Sequence, residues 1–268
     1  MEFRTEVVIN EFPFNIEPCE EILFVGSCFA DAIGQRFRDE AFPVTVNPYG
    51  VMYNPASILH TLQRLAATGV SPRVAFLTLG TNHVYRLKET GEIVDNCEKR
   101  PAALFQEEEL SVEQCADYLR QSVDMLRQLN PDVHIVFTVS PIRYRKYGYH
   151  ESQLSKATLL LAANAVCTNG SATYFPAYEI VMDELRDYRF YAADMLHPSS
   201  QTVEYIWERL VDSCFSPAAK TYLDEWRPLK QALKHKPFIA DSPEYQAFHE
   251  QTINKLAEFK KKYPHLTI

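Results

Sequence analysis

Glycine is scarce in this chain: eight residues in 268, dispersed, and none forms the glycine-rich loop that cradles phosphate groups. No nucleotide cofactor is therefore expected. The six cysteines, at 19, 28, 97, 115, 167 and 214, never form a CxxC pair, and no two histidines stand four residues apart. That spacing excludes the common zinc modules, and no metal is expected. No long apolar run exists either; the stretch around Leu159 to Val166 is too short and interrupted to cross a bilayer. Positive charge is also short. The formal net charge is -8 with a pI near 5.5, which argues against a general nucleic-acid binder. The nearest basic run, Lys260-Lys261-Lys262, suits the C-terminal end of a helix better than a polyanion. Met1 to Glu6 lacks the basic and apolar regions of a signal peptide, so a cytoplasmic protein with reduced thiols is expected. Sixteen prolines are spread along the chain, leaving no low-complexity linker and no internal repeat.

What is present is core-forming material: 46% hydrophobic and 12% aromatic residues. Ile22–Gly26, Pro43–Val46, Val74–Leu79 and Val133–Val139 read as buried parallel strands. Phe29–Ala41, Ala56–Ala67 and Val112–Leu129 alternate with them as helices, which predicts a three-layer α/β/α fold of flavodoxin-like type with a parallel sheet. His83–Asn96 reads as a hairpin beside that sheet. A helix over Glu151–Cys167, a short strand within Ala172–Phe175 and a helix over Ser199–Cys214 follow. Ala218–His235 and Pro243–Tyr263 read as helices of a C-terminal appendage, dividing the chain into residues 1–215 and 216–268.

Two separated motifs carry the chemistry: Gly26-Ser27-Cys28-Phe29-Ala30 at the end of the first strand, and Asp194-Met195-Leu196-His197-Pro198. A serine on a strand-to-helix turn sits where open α/β sheets bind ligands, and an Asp-x-x-His supplies an imidazole with its orienting carboxylate. Ser27 alone reads first as a helix N-cap. Two further strand ends add weight. Asn47-Pro48-Tyr49-Gly50 follows the second strand, and Gly80-Thr81-Asn82 follows the third. The Ser27 and Gly50 amides with the Asn82 side chain would form an oxyanion hole, although a loop-capping asparagine is common. Asn54, His83, Arg143 and Tyr191 are candidates for contacting substrate. Arg186 and Arg189 could likewise meet an anionic group, although Arg186-Asp187-Tyr188-Arg189 reads first as an internal salt-bridge network holding its loop. Cys28 reads as a buried structural thiol, and His134 as a satisfied core or sheet-edge histidine. Tyr144, Tyr147 and Tyr149, interleaved with Arg143, Arg145 and Lys146, read as an aromatic loop able to meet a sugar ring or an acyl group. Ser152 and Lys156 do not have Ser-x-x-Lys spacing.

These motifs resemble the GSCFA family, a branch of the SGNH hydrolase-like superfamily. Its eponymous motif stands at residues 26 to 30. The likeness runs on through Asn47-Pro48-Tyr49-Gly50, Leu79-Gly80-Thr81, Asn96-Cys97-Glu98-Lys99, Ser140-Pro141-Ile142-Arg143 and Ser155-Lys156-Ala157 to the run from Tyr174 to Pro198. By the superfamily pattern Ser27 is the nucleophile, Gly50 and Asn82 are oxyanion donors, and Asp194 and His197 complete a triad. The usual Gly-Asp-Ser is here Gly-Ser-Cys, so no acidic residue precedes the serine. The resemblance implies a serine esterase acting on a small-molecule acyl ester, such as an acylated metabolite or carbohydrate. An O-acyltransferase and a non-catalytic ligand binder are the alternatives. Oligomeric state is left open.

Overall fold

The computed structural model describes residues 4–238 and 242–268. The runs that are almost wholly apolar become the centre of the sheet. They form β1 (Ile22–Gly26), β3 (Val74–Leu79) and β7 (His134–Val139), with β2 (Val44–Val46) and β8 (Thr173–Tyr174) at the edges. All five are parallel, in the order β2-β1-β3-β7-β8. Ile22 lies opposite Val44 on one side and Val74 on the other, and Val74 in turn pairs with His134.

Because side chains alternate along a strand, β1 divides its residues between two cores. Ile22 and Phe24 join the cluster covered by α1 (Cys28–Asp39) and α6 (Ser200–Cys214). Leu23 and Val25 join the cluster covered by α2 (Pro55–Leu65), α3 (Val112–Leu129) and α4 (Tyr149–Cys167). This is the expected three-layer α/β/α arrangement. The strand order reverses between β1 and β3, which places a crevice outside their carboxyl ends.

The expected hairpin forms as β4 (His83–Leu87) and β5 (Ile93–Val94), but it belongs to a three-stranded antiparallel sheet completed by β6 (Phe105–Glu109). Phe-Gln-Glu-Glu-Glu carries no strand-like alternation, so β6 is invisible in sequence. Its pairing with β4 and the 3.1 Å Arg86–Glu108 ion pair account for it. A second unforeseen element is the short helix α5 (Ala177–Glu179), which widens into a π-helical turn over Ile180–Leu185 before Arg186 in the left-handed region. His134 stacks on Phe14 with ring centroids 4.1 Å apart, and burial lowers its pKa.

The last helices, α7 (Pro217–Lys234) and α8 (Pro243–Lys262), extend the α1 core. Helix α1 ends with carbonyls that lack intrahelical partners. The buried Tyr222 hydroxyl donates to Glu40 O at 2.8 Å, and Trp226 Nε1 donates to Asp39 O at 3.0 Å. Lys230 Nζ donates to Glu40 Oε1 at 2.6 Å. Phe259 of α8 packs on both Tyr222 and Trp226, with Lys262 paired to Glu225 at 2.6 Å. Removing only the Tyr222 hydroxyl leaves a buried carbonyl unpaired. Tyr222→Phe should therefore lower stability by about 1–3 kcal/mol in urea denaturation, while leaving the fold intact.

Candidate active site

The site begins with a glycine that cannot be replaced. Gly26 has φ +144°, and a Cβ on it would lie 2.1 Å from Thr78 O. Only a bare backbone lets β1 and β3 approach so closely at their ends. Asn47 fastens the same point: its Oδ1 accepts from Gly26 N at 2.8 Å, and its Nδ2 donates to Asp31 at 2.7 Å. Ser27 follows as the N-cap of α1, its Oγ accepting from Phe29 N at 3.2 Å and lying 3.1 Å from Thr78 Oγ1. It is 2% exposed, at the bottom of a cleft.

The Asp194-x-x-His197 segment folds into a tight turn. Asp194 Oδ1 accepts from Leu196 N at 2.9 Å and His197 N at 3.0 Å, while Oδ2 meets His197 Nδ1 at 2.6 Å. Those donors, led by the His197 amide, hold the Asp194 pKa well below the usual carboxylate range. The carboxylate thus fixes the proton on Nδ1 and leaves Nε2 as the acceptor. Met195 sits in the left-handed region at φ +59°, which lets the turn close. Arg143 pins the turn: its backbone N donates to Leu196 O and its guanidinium to Met195 O, both at 3.0 Å. The guanidinium also lies 4.2 Å over the Tyr149 ring.

Ser27 and His197 line one cleft of about 390 Å³, walled by Tyr53, Ile142, Arg143 and Tyr144. This volume suits a small organic ligand. The Ser27 hydroxyl is held by Thr78 and the Phe29 amide, and is not hydrogen-bonded to His197 in this conformation. Two residues to which the sequence reading gave no role also line the cleft: Ser140, fully buried, and Lys156 of α4. Lys156 Nζ donates to Gly80 O at 2.7 Å, and burial pushes its pKa down to about 7. A signal for it was available. Ser152, Ser155, Lys156, Leu159 and Ala163 fall at helical spacing on the inward face of α4, where a lysine is out of place.

The expected oxyanion hole is not assembled. Ser27 N–H is shared between Thr78 O at 3.1 Å and Thr78 Oγ1 at 2.9 Å. Gly50 N–H closes a turn onto Asn47 O at 2.9 Å. The Asn82 amide donates to Leu110 O at 2.9 Å, at the foot of β4 and outside the cleft lining. Of the four substrate-contact candidates, only Arg143 lines the cleft. Asn54 caps α2 by accepting from Ser57 N at 2.9 Å. His83 stacks on Tyr147 at 3.9 Å, its pKa lowered by burial. Tyr191 packs in the neighbouring groove with Arg143, its hydroxyl 3.5 Å from Met182 Sδ. Cys28 is half-buried rather than core: it lines the cleft with Sγ 3.8 Å from the Tyr53 hydroxyl. The expected Arg186–Arg189 network reduces to two exposed local pairs, Arg189 with Asp187 at 3.1 Å and Arg186 with Asp183 at 3.7 Å. No cluster of metal-ligating side chains and no helix long and apolar enough to span a membrane occur among the described residues.

A three-layer α/β/α protein with a serine and an Asp–His pair meeting at the switch-point crevice is thus defined. The chain belongs to the GSCFA family, whose model matches residues 21–73 and 66–210; residues 226–268 match the C-terminal domain of GSCFA domain proteins. No curated protein matches it. Similar solved structures include a lipolytic G-D-S-L family member from Veillonella parvula DSM 2008, 13% identical, covering 72% of this chain and 96% of its own, with TM-score 0.49. Another is a GDSL-like lipase from Parabacteroides merdae ATCC 43184, 14% identical, covering 74% and 98%, with TM-score 0.49. A mutant acetyl-xylooligosaccharide esterase from Geobacillus Stearmophilus is 11% identical, covering 75% and 96%, with TM-score 0.46.

Asp194→Ala removes the acceptor for two amides and the ring's partner together. Hydrogen exchange at Leu196 and His197 should accelerate at least tenfold, with the melting temperature little changed because the turn lies on the surface.

Proposed function

We propose that the protein is a serine-dependent hydrolase of acyl esters, with Ser27 as nucleophile, His197 as base and Asp194 as the group that orients it. The observation that carries this reading is the convergence of Ser27 and the Asp194–His197 pair on one cleft at the carboxyl ends of β1 and β3. In the reaction Ser27 Oγ turns from Thr78 toward His197, an adjustment that catalytic groups often make on substrate binding. Oγ bonds to the ester carbonyl carbon, its proton passes to His197 Nε2, and the carbonyl π pair moves onto oxygen. Collapse breaks the bond to the alcohol, which leaves with the proton from His197. Water, deprotonated by the same ring, then releases the carboxylic acid and regenerates Ser27. Aromatic walls at Tyr53 and Tyr144, with ring centroids 6.4 Å apart, favour a small acylated metabolite or an acylated carbohydrate.

One observation favours a second reading, a ligand binder without turnover. The Ser27 hydroxyl is engaged by Thr78, and the expected oxyanion amides already have partners. A fluorophosphonate probe separates the two, read by mass spectrometry of the intact protein. A hydrolase gives one adduct, on Ser27; Ser27→Ala abolishes it, and His197→Ala slows it by about 10³-fold. A folded wild type that takes no adduct overturns the hydrolase in favour of the binder.

A further inference from the structure

Lys156 is the one buried cation in the cleft, and nothing in the mechanism above uses it. It is 3% exposed on the inward face of α4, and Gly80 O is the sole hydrogen-bond acceptor of its ammonium among the described residues. An ammonium has three donors, so two remain for a ligand. Its position is close to the chemistry: a Cβ on Gly80 would lie 3.5 Å from Ser27 Cβ, so the carbonyl that Lys156 holds belongs to the residue abutting the nucleophile. The titratable groups facing the same cavity are Cys28, Tyr53, Arg143, Tyr144, Arg145, Lys146 and His197. None is a carboxylate. A buried charge without a counter-ion is costly, and a lysine present only to tie one carbonyl would be a poor structural choice.

We propose that the Lys156 ammonium makes the floor of the cleft an anion-binding site, and that in ester cleavage it stabilises the oxygen on which negative charge develops. It fills the part for which the Ser27, Gly50 and Asn82 donors are not free. This role rests on the hydrolase reading; the anion site does not. Burial holds the Lys156 pKa near 7, so the charged form prevails below that pH and is lost above it.

The test compares wild type, Ser27→Ala and Lys156→Met, the last close in shape and uncharged. Acetate binding is measured by calorimetry, and the rate of fluorophosphonate labelling by mass spectrometry. Lys156→Met removes a desolvated charge but also the donor to Gly80 O, so the two effects oppose and its melting temperature should stay close to that of wild type. It should bind acetate at least tenfold more weakly and label about 10²–10³-fold more slowly. Acetate affinity in wild type should fall as pH rises through about 7, a limb absent from Lys156→Met. Ser27→Ala should keep acetate binding. Labelling and acetate binding that match wild type in Lys156→Met overturn the proposal while leaving the hydrolase standing. A markedly lowered melting temperature in Lys156→Met with both functions retained assigns the lysine to structure and also overturns it. A wild type that binds acetate through Lys156 yet takes no adduct upholds the anion site and removes the hydrolase.

Discussion

The contact on which the rest depends is the approach of Gly26 to Thr78. Two parallel strands converge there so closely that a single methyl group on Gly26 would overlap the Thr78 carbonyl. That approach turns Ser27 N–H into the Thr78 backbone and side chain, sets the serine as cap of α1, and aligns its hydroxyl with Thr78 Oγ1. The loop after β2 locks it in place. Asn47 accepts from Gly26 N, Met52 N donates to Gly26 O, and Tyr53 O accepts from both Gly80 and Thr81. One loop therefore ties together the two strand ends that form the crevice, and the backbone donors there are spent on holding the fold rather than left for a ligand.

The imidazole arrives by a different logic. The Asp194 turn is nearly self-contained, satisfied by its own amides and ring, and it is docked onto the sheet by Arg143. A local turn placed by one guanidinium can carry a histidine on a surface loop with little help from the core. The cost is a residue, Met195, in a backbone region that side chains disfavour. Electrostatics are divided in the same way. The protein is acidic overall, yet the cleft between Ser27 and His197 is lined by Arg143, Arg145, Lys146 and Lys156. Lys146 is paired with Glu107 and the Arg143 guanidinium with the Met195 carbonyl, and of the four cations only Lys156 is buried. A cationic cleft in an anionic protein concentrates its field on the ligand.

The C-terminal helices act on the same helix from its far end. The N-terminus of α1 bears Ser27, and its final carbonyls lie under Tyr222 and Trp226. Packing of α7 and α8 thus anchors the helix whose other end presents Ser27, without touching the cleft.

Much of this was legible in the chain itself, and the division follows physical lines. Strands buried on both faces, such as Val74–Leu79, announce themselves because nearly every residue must be apolar, and α3 is marked by its capping box at Ser111 and Gln114. Ser27 and the Asp194–His197 pair could be read because their chemistry is local: a cap, a turn, a spacing of three. The oxyanion donors and β6 could not be read in that way, and Lys156 showed only as a lysine on the inward face of a helix. Whether an amide is free depends on which carbonyl a neighbouring strand brings to it. An acidic segment becomes a strand only when Arg86 and its strand lie alongside, and a lysine becomes a buried cation only when α4 packs against the end of β3. Sequence by itself determined the layers of the fold and the local turns that carry Ser27 and the Asp194–His197 pair. Tertiary structure alone decided which of their hydrogen bonds were already taken, because partnership is set by distance in space and not along the chain.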